Sequence, residues 1–195
     1  MEREKRRLEM GEPYRTLLGH FRHEVGHYFW DVIVRDGGKL EACRALFGDD
    51  TIDYGEALQH HYREGPPPDW QTRFVSAYAA THPWEDFAET WSHYLHIVDT
   101  LEMASAFGIK VHPAADSLGG LSAHIGFDPY EAENFDTIVT AWLPFTFAMN
   151  SINRAMGVRD LYPFVLSPPV IAKLRFIHQL VHKTTAAETA KAKAT

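Results

Sequence analysis

The spacing of apolar residues near the start of the chain predicts a long helix. Apolar residues recur at close to a 3.6-residue period, which is typical of an amphipathic helix, at Leu17, Leu18, Phe21, Val25, Tyr28, Phe29, Val32 and Ile33. Pro13 suits a first helical position, and Gly37-Gly38 is a strong end signal. Gly26 costs this helix about 1 kcal/mol relative to Ala. That cost suggests that another part of the protein approaches the helix closely at this point.

The same reasoning predicts further helices along the rest of the chain. They run over Leu40–Phe47, from Asp53 to Tyr62, from Pro83 to Phe107, from Glu133 to Met156 with Pro144 inside, and from Ser167 to His182. Patterns typical of strands are almost absent, so the sequence predicts a mainly α fold with two long helices and little or no sheet. We expect residues 1–182 to form one domain and residues 183–195, which lack an apolar face, to be a disordered tail.

Composition excludes several classes of protein. The chain has 195 residues and a net charge of −7, which suits one domain and disfavours a general nucleic-acid binder. The longest apolar stretch, from Ile138 to Met149, is too short to span a bilayer and contains Pro144. Cys43 is the one cysteine, so the chain has neither a disulfide framework nor a cysteine zinc site. These features lead us to expect a cytoplasmic protein without a membrane segment; they do not indicate its oligomeric state.

The first helix carries the clearest chemical motif, His23-Glu24-Val25-Gly26-His27. Residues four apart share one face of a helix, so the two imidazoles can converge on one metal ion, normally zinc. Glu24 follows the first histidine, and its carboxylate could take a proton from a water that the metal has made acidic. A catalytic zinc takes three protein ligands, so a third must come from elsewhere in the chain.

The second long helix offers candidates for that third ligand. Glu85, Glu89, His93 and His96 lie at i, i+4, i+8 and i+11 and therefore share a face. His82 and Asp86 lie beside this stripe. Acidic and imidazole side chains on an otherwise apolar helix need a metal or a hydrogen-bond network to satisfy them. A buried Glu–His network without a metal is therefore the alternative to a metal site.

Together, His23-Glu-Val-Gly-His27 and the segment from Tyr78 to His96 resemble the bacterial family of zinc-binding metallopeptidases whose domain often follows a zinc ribbon. They are also similar to the glutamate-zincin endopeptidases of the anthrax lethal factor type. The resemblance implies a zincin-like catalytic domain in which Glu85 is the third zinc ligand. It implies that Tyr78 polarises the substrate carbonyl and that Glu89 orients a ligand histidine. The cysteine pairs of the zinc ribbon are absent, which fits either a short natural form or a fragment.

The sequence therefore predicts a zinc-dependent hydrolase, most simply a peptidase that acts on peptides or proteins. Its metal ligands would be His23, His27 and Glu85, its base Glu24, and its oxyanion would be steadied by Tyr78 with help from His82 or His93. Two alternatives remain open. One is a metal-stabilised binding or scaffold domain without peptidase activity, and the other is a zinc hydrolase of a non-peptide amide or ester.

Overall fold

The computed structural model describes residues 16–114, 116 and 118–193, without the side chains of 183–193. Its α-helices are α1 (Leu17–Phe29), α2 (Leu40–Phe47), α3 (Tyr54–Glu64), α4 (Pro83–Ala106), α5 (Phe135–Ala155) and α6 (Pro168–Lys193). A π-helical turn, Trp30–Arg35, continues α1, and 3-10 turns form at Trp70–Thr72 and Tyr78–Ala80. The strands β1 (Lys110–Val111) and β2 (Ala123–His124) pair antiparallel, with Lys110 opposite His124. The mainly α prediction is confirmed.

Helix α1 begins at Leu17. Thr16 has extended backbone and its side chain accepts a hydrogen bond from the backbone N–H of Gly19, which caps the helix. The predicted start at Pro13 lies outside the described residues. The buried side chains of α1 differ from the apolar pattern. Leu17 and Phe21 are 82% and 65% exposed, whereas the buried positions include His23. The face of α1 that packs is therefore the one that carries the histidines.

Helices α1 and α4 come unusually close at Gly26. A Cβ atom added there would lie 3.0 Å from the Cα of Ala88 and 3.1 Å from the Cβ of Trp91. Next to this contact the ring of Phe29 stacks on Trp91 with 4.7 Å between centroids. The close approach that Gly26 suggested is thus confirmed, and α4 is the approaching element.

A buried ion pair ties α6 to α4. The Lys173 ammonium donates to the Asp86 carboxylate at 2.6 Å and to the backbone carbonyl of Arg73 at 2.8 Å. Lys173 is 5% exposed and Asp86 is completely buried. Phe87, Ala88 and Trp91, on the adjoining part of α4, are also buried.

The chain divides into two compact units, one formed by Met1–Tyr94 with Val165–Thr195 and the other by Leu95–Phe164. In the second unit the side chain of Asn134 accepts from the N–H of Asp136 and begins α5. The amide of Asn150 bonds both the backbone N–H and the carbonyl of Tyr162 there. No helix in the described residues is long and apolar enough to cross a membrane.

The domain prediction stays a prediction. It assigns residues 1–182 to one domain and 183–195 to a disordered tail. Helix α6 continues to Lys193, but the side chains of residues 183–193 and all of residues 194–195 lie outside the described part of the chain.

Candidate metal centre

Three side chains from α1 and α4 bring ligand atoms together. His23 Nε2 lies 3.1 Å from His27 Nε2 and 3.0 Å from Glu85 Oε2, and His27 Nε2 lies 3.5 Å from the same oxygen. His23 and Glu85 are 4% and 2% exposed. The histidines are one helical turn apart on α1, and Glu85 lies in the first turn of α4. The three predicted ligands therefore meet in a buried cluster.

The spacing of these atoms suits a small cation. Zinc bonds of 2.0–2.1 Å in tetrahedral geometry place ligand atoms about 3.3 Å apart, and the observed separations run from 3.0 to 3.5 Å. Glu85 Oε2 is buried and has no aligned hydrogen-bond donor. Such an oxygen is costly unless a positive charge lies against it. Two imidazole nitrogens and one carboxylate oxygen are also the donor set of many catalytic zinc sites.

The carboxylates around His23 also favour a positive charge in the cluster. Burial alone would lower the pKa of His23, but the adjacent carboxylates of Glu85 and Glu89 outweigh it and raise the pKa to about 9. Burial would likewise raise the pKa of Glu85, yet the adjacent imidazoles of His23 and His27 and the hydrogen bond from Tyr54 hold it well below its usual range. In the metal-free protein a proton on His23 therefore supplies the positive charge.

Glu89 supports His23 from the opposite side. The Nδ1–H of His23 donates to Glu89 Oε1 at 2.7 Å, which leaves Nε2 as the ring nitrogen that faces the cluster. The Ser76 hydroxyl donates to Glu89 Oε2 at 2.6 Å and accepts from the N–H of Ala79. Burial alone would raise the pKa of Glu89, but His23 lowers it, so the carboxylate is ionised. This is the position that the resemblance implies for Glu89, and its effect on a metal stays a prediction.

The two predicted catalytic residues occupy different surroundings. The side chain of Glu24 is 58% exposed, and its carboxylate lies 3.6 Å from His20 Nε2, so water reaches it. The ring of Tyr78 lies 6.0 Å from that of His23. Its hydroxyl donates to that of Tyr54, which in turn donates to Glu85 Oε1 at 2.7 Å. Their catalytic roles stay predictions.

The two histidines that the sequence predicts beside the metal, His82 and His93, lie in different surroundings. His82 precedes α4: its Nδ1 accepts from the N–H of Trp84 at 3.0 Å, and its Nε2 donates to the carbonyl of Ile52 at 3.2 Å. Both of its nitrogens are therefore engaged away from the ligand cluster. His93 is buried, and burial lowers its pKa to about 4 although the charge of Glu89 acts in the opposite direction. His93 is neutral at physiological pH.

Sequence reasoning missed three residues that contact the cluster. Tyr54 bonds Glu85 from 31 residues away, and Ser76 bonds Glu89. The ring of Trp84 lies tilted against that of His27, with 3.7 Å between the ring centroids. Only Trp84 carries a local signal, because it adjoins Glu85. The second ring nitrogen of His27, Nδ1, is buried without a hydrogen-bond partner in the described part of the chain.

Comparisons with known proteins show the family of this chain. The family described as "Putative zinc-binding metallo-peptidase" matches residues 1–180. The uncharacterized proteins Rv2568c of Mycobacterium tuberculosis and Mb2598c of Mycobacterium bovis are each 49% identical over 182 residues, which cover 93% of this chain and 51% of theirs. The chain thus spans about half the length of these relatives. No solved structure matches it significantly. On the strength of the family match, the chain belongs to the zinc-binding metallopeptidase family so described.

Proposed function

We propose that this protein is a zinc-dependent hydrolase that cleaves peptide bonds, with His23, His27 and Glu85 as its metal ligands. The observation that carries the proposal is the convergence of two Nε2 atoms and one carboxylate oxygen within 3.5 Å of one another. Three protein ligands leave one position open for water or substrate, which is the arrangement of catalytic rather than structural zinc.

Zinc bound at these residues would lower the pKa of a water molecule and polarise the substrate carbonyl. The Glu24 carboxylate takes the proton from the attacking water and delivers it to the leaving amine nitrogen. The Tyr78 hydroxyl would turn from Tyr54 to the substrate and donate its one proton to the carbonyl oxygen as negative charge develops there. Glu89 holds the proton on His23 Nδ1 and thereby keeps Nε2 available as a ligand.

The family description supports the metal and the class of reaction. A peptide or protein substrate follows from that description, and the net charge of −7 disfavours nucleic acid. The relatives are uncharacterized, so peptide hydrolysis and the role of Glu24 rest on the geometry and chemistry of the site. The accessible Glu24 carboxylate favours an enzyme over a metal-stabilised binding domain, since a binding domain has no use for a base at this position.

Replacing Glu24 with Gln tests the proposal directly. Glu24→Gln keeps the shape of the side chain and removes the base, so hydrolysis of a peptide mixture should fall by about 100-fold or more, with zinc content unchanged. Glu41→Gln is the control, because the side chain of Glu41 is 93% exposed and lies on α2. Cleavage would be followed by mass spectrometry of the products. A Glu24→Gln variant that binds zinc and cleaves peptides at the wild-type rate would contradict the proposal.

A further inference from the structure

Tyr54 contacts the ligand cluster from a helix that carries none of the ligands. It is the first residue of α3, and its hydroxyl donates to Glu85 Oε1 at 2.7 Å. The other oxygen of the same carboxylate, Oε2, faces His23 and His27 at 3.0 and 3.5 Å. The two oxygens of Glu85 are thus divided between a protein donor and the space where the ligand atoms converge.

The surroundings of Tyr54 hold its ring in place. The Asp53 carboxylate accepts from the N–H of Glu56 at 2.8 Å and fixes the start of α3. The ring makes edge contacts with His82 and Trp84, at 5.4 and 5.9 Å between centroids. These two residues flank the start of α4, directly before Glu85. The hydroxyl therefore keeps a fixed position relative to the carboxylate that it bonds.

The Tyr54 hydroxyl also connects Glu85 to Tyr78. It accepts a hydrogen bond from the Tyr78 hydroxyl while it donates to Glu85. A tyrosine hydroxyl has one proton to donate. Because that proton is committed to Glu85 Oε1, Tyr78 can reach Tyr54 only as a donor, which orients the Tyr78 O–H within the site.

We propose that Tyr54 is a positioning residue of the metal centre, which makes Glu85 a ligand through Oε2 alone. A free carboxylate can bind a metal through one oxygen or both. With Oε1 engaged by Tyr54, Glu85 occupies a single coordination position and leaves the remaining one open. The inference rests on the proposed function only in requiring that His23, His27 and Glu85 bind zinc.

Replacing Tyr54 with Phe removes the hydroxyl and keeps the ring. Residues that orient metal ligands typically change metal affinity by about 10- to 100-fold, so we expect the zinc dissociation constant of Tyr54→Phe to rise by a factor in that range. Competition with a chromophoric chelator measures it. Tyr62→Phe, on the same helix and 61% exposed, is the matched control and should bind zinc as the wild type does.

Replacing zinc with cobalt(II) reports the coordination number of the metal. A general loss of protein stability would not change that number. Four-coordinate cobalt absorbs visible light more strongly than five- or six-coordinate cobalt. If Glu85 becomes free to bind through both oxygens, the visible bands of cobalt-loaded Tyr54→Phe should weaken relative to those of the wild type. Cobalt-loaded Tyr62→Phe should reproduce the wild-type spectrum.

A second variant tests whether Tyr54 acts through Glu85. In a Glu85→Ala background, adding Tyr54→Phe should weaken zinc binding no further. Unchanged zinc affinity and an unchanged cobalt spectrum in Tyr54→Phe would overturn the inference while leaving the proposed function intact. A folded wild-type protein that binds no zinc would overturn both.

Discussion

The hydrogen bond between Glu89 and His23 should set much of the affinity for zinc. Replacing Glu89 with Gln removes the negative charge but keeps an oxygen that can accept from His23 Nδ1–H. Replacing it with Ala removes both contacts, the one to His23 at 2.7 Å and the one from Ser76 at 2.6 Å. The two substitutions therefore separate the charge of Glu89 from its hydrogen bonds.

The expected magnitudes follow from the number of contacts removed. Losing a carboxylate that orients a ligand histidine costs about 10- to 100-fold in metal affinity. We expect Glu89→Gln at the lower end, about 1.4 kcal/mol, and Glu89→Ala at the upper end, about 2.7 kcal/mol. Ser76→Ala removes only the second contact and leaves His23 oriented, so zinc affinity should fall by less than about threefold.

Zinc dissociation constants would be measured by chelator competition at pH 7.5 for the wild type and these three variants. Far-ultraviolet circular dichroism of each metal-free protein checks that the helices remain. The ordering wild type, Ser76→Ala, Glu89→Gln, Glu89→Ala, from tightest to weakest, is the predicted result. Folded Glu89→Ala protein with a zinc dissociation constant within twofold of the wild type would refute the reasoning, because His23 would then need no support from Glu89.

Three further predictions concern packing and pH. Lys173→Met leaves Asp86 buried and unpaired, so the free energy of unfolding should fall by about 3–5 kcal/mol. Gly26→Ala puts a methyl group 3.0 Å from the Cα of Ala88, so α1 and α4 should separate, at a net cost of about 1–2 kcal/mol in unfolding free energy and with weaker zinc binding. Burial depresses the pKa of His93 to about 4, below its ordinary 6.5. Between pH 4 and pH 6.5 the unfolded state therefore binds more protons than the folded state. The free energy of unfolding consequently decreases as the pH falls from 6.5 to 4. This loss should be about 3 kcal/mol larger in the wild type than in His93→Gln.

Chemical denaturation provides the measurements for all three. A Lys173→Met variant within 1 kcal/mol of the wild type would mean that Asp86 is satisfied without its partner. A Gly26→Ala variant as stable as the wild type, with equal zinc affinity, would mean that the helices have room for a methyl group. Equal acid sensitivity of His93→Gln and the wild type, compared at pH 7 and pH 4, would mean that His93 does not account for the loss.

The sequence predicted most of what depends on local spacing. His23 and His27 share a helical face because α-helical geometry requires it, and Asp53 caps α3 because its side chain reaches the N–H of Glu56. The bounds of α2 follow from Leu40–Phe47 and the glycine that ends it. Gly26 indicated a close contact without naming the partner. In each case the physical cause lies within a few residues of its effect.

The parts that the sequence did not predict depend on tertiary contacts. The apolar period of α1 predicted the helix, but α4 packs against His23 and Gly26, and Phe21 stays exposed. Tyr54 reaches Glu85 across 31 residues, and no local pattern distinguishes it from other tyrosines. The third ligand came from a resemblance to a family, because four acidic and histidine residues on one helical face were equally possible by spacing.

The most direct test of the account is the metal content of the purified protein, measured by mass spectrometry for the wild type beside Glu85→Ala. We predict about one zinc per chain in the wild type, as expected for a single three-ligand site, and a sharp fall in the variant. Zinc retained in full by Glu85→Ala would contradict the assignment of the third ligand. A folded wild-type protein without metal, even after incubation with zinc, would contradict the central claim and leave the His23–Glu85–Glu89 cluster as a structural network.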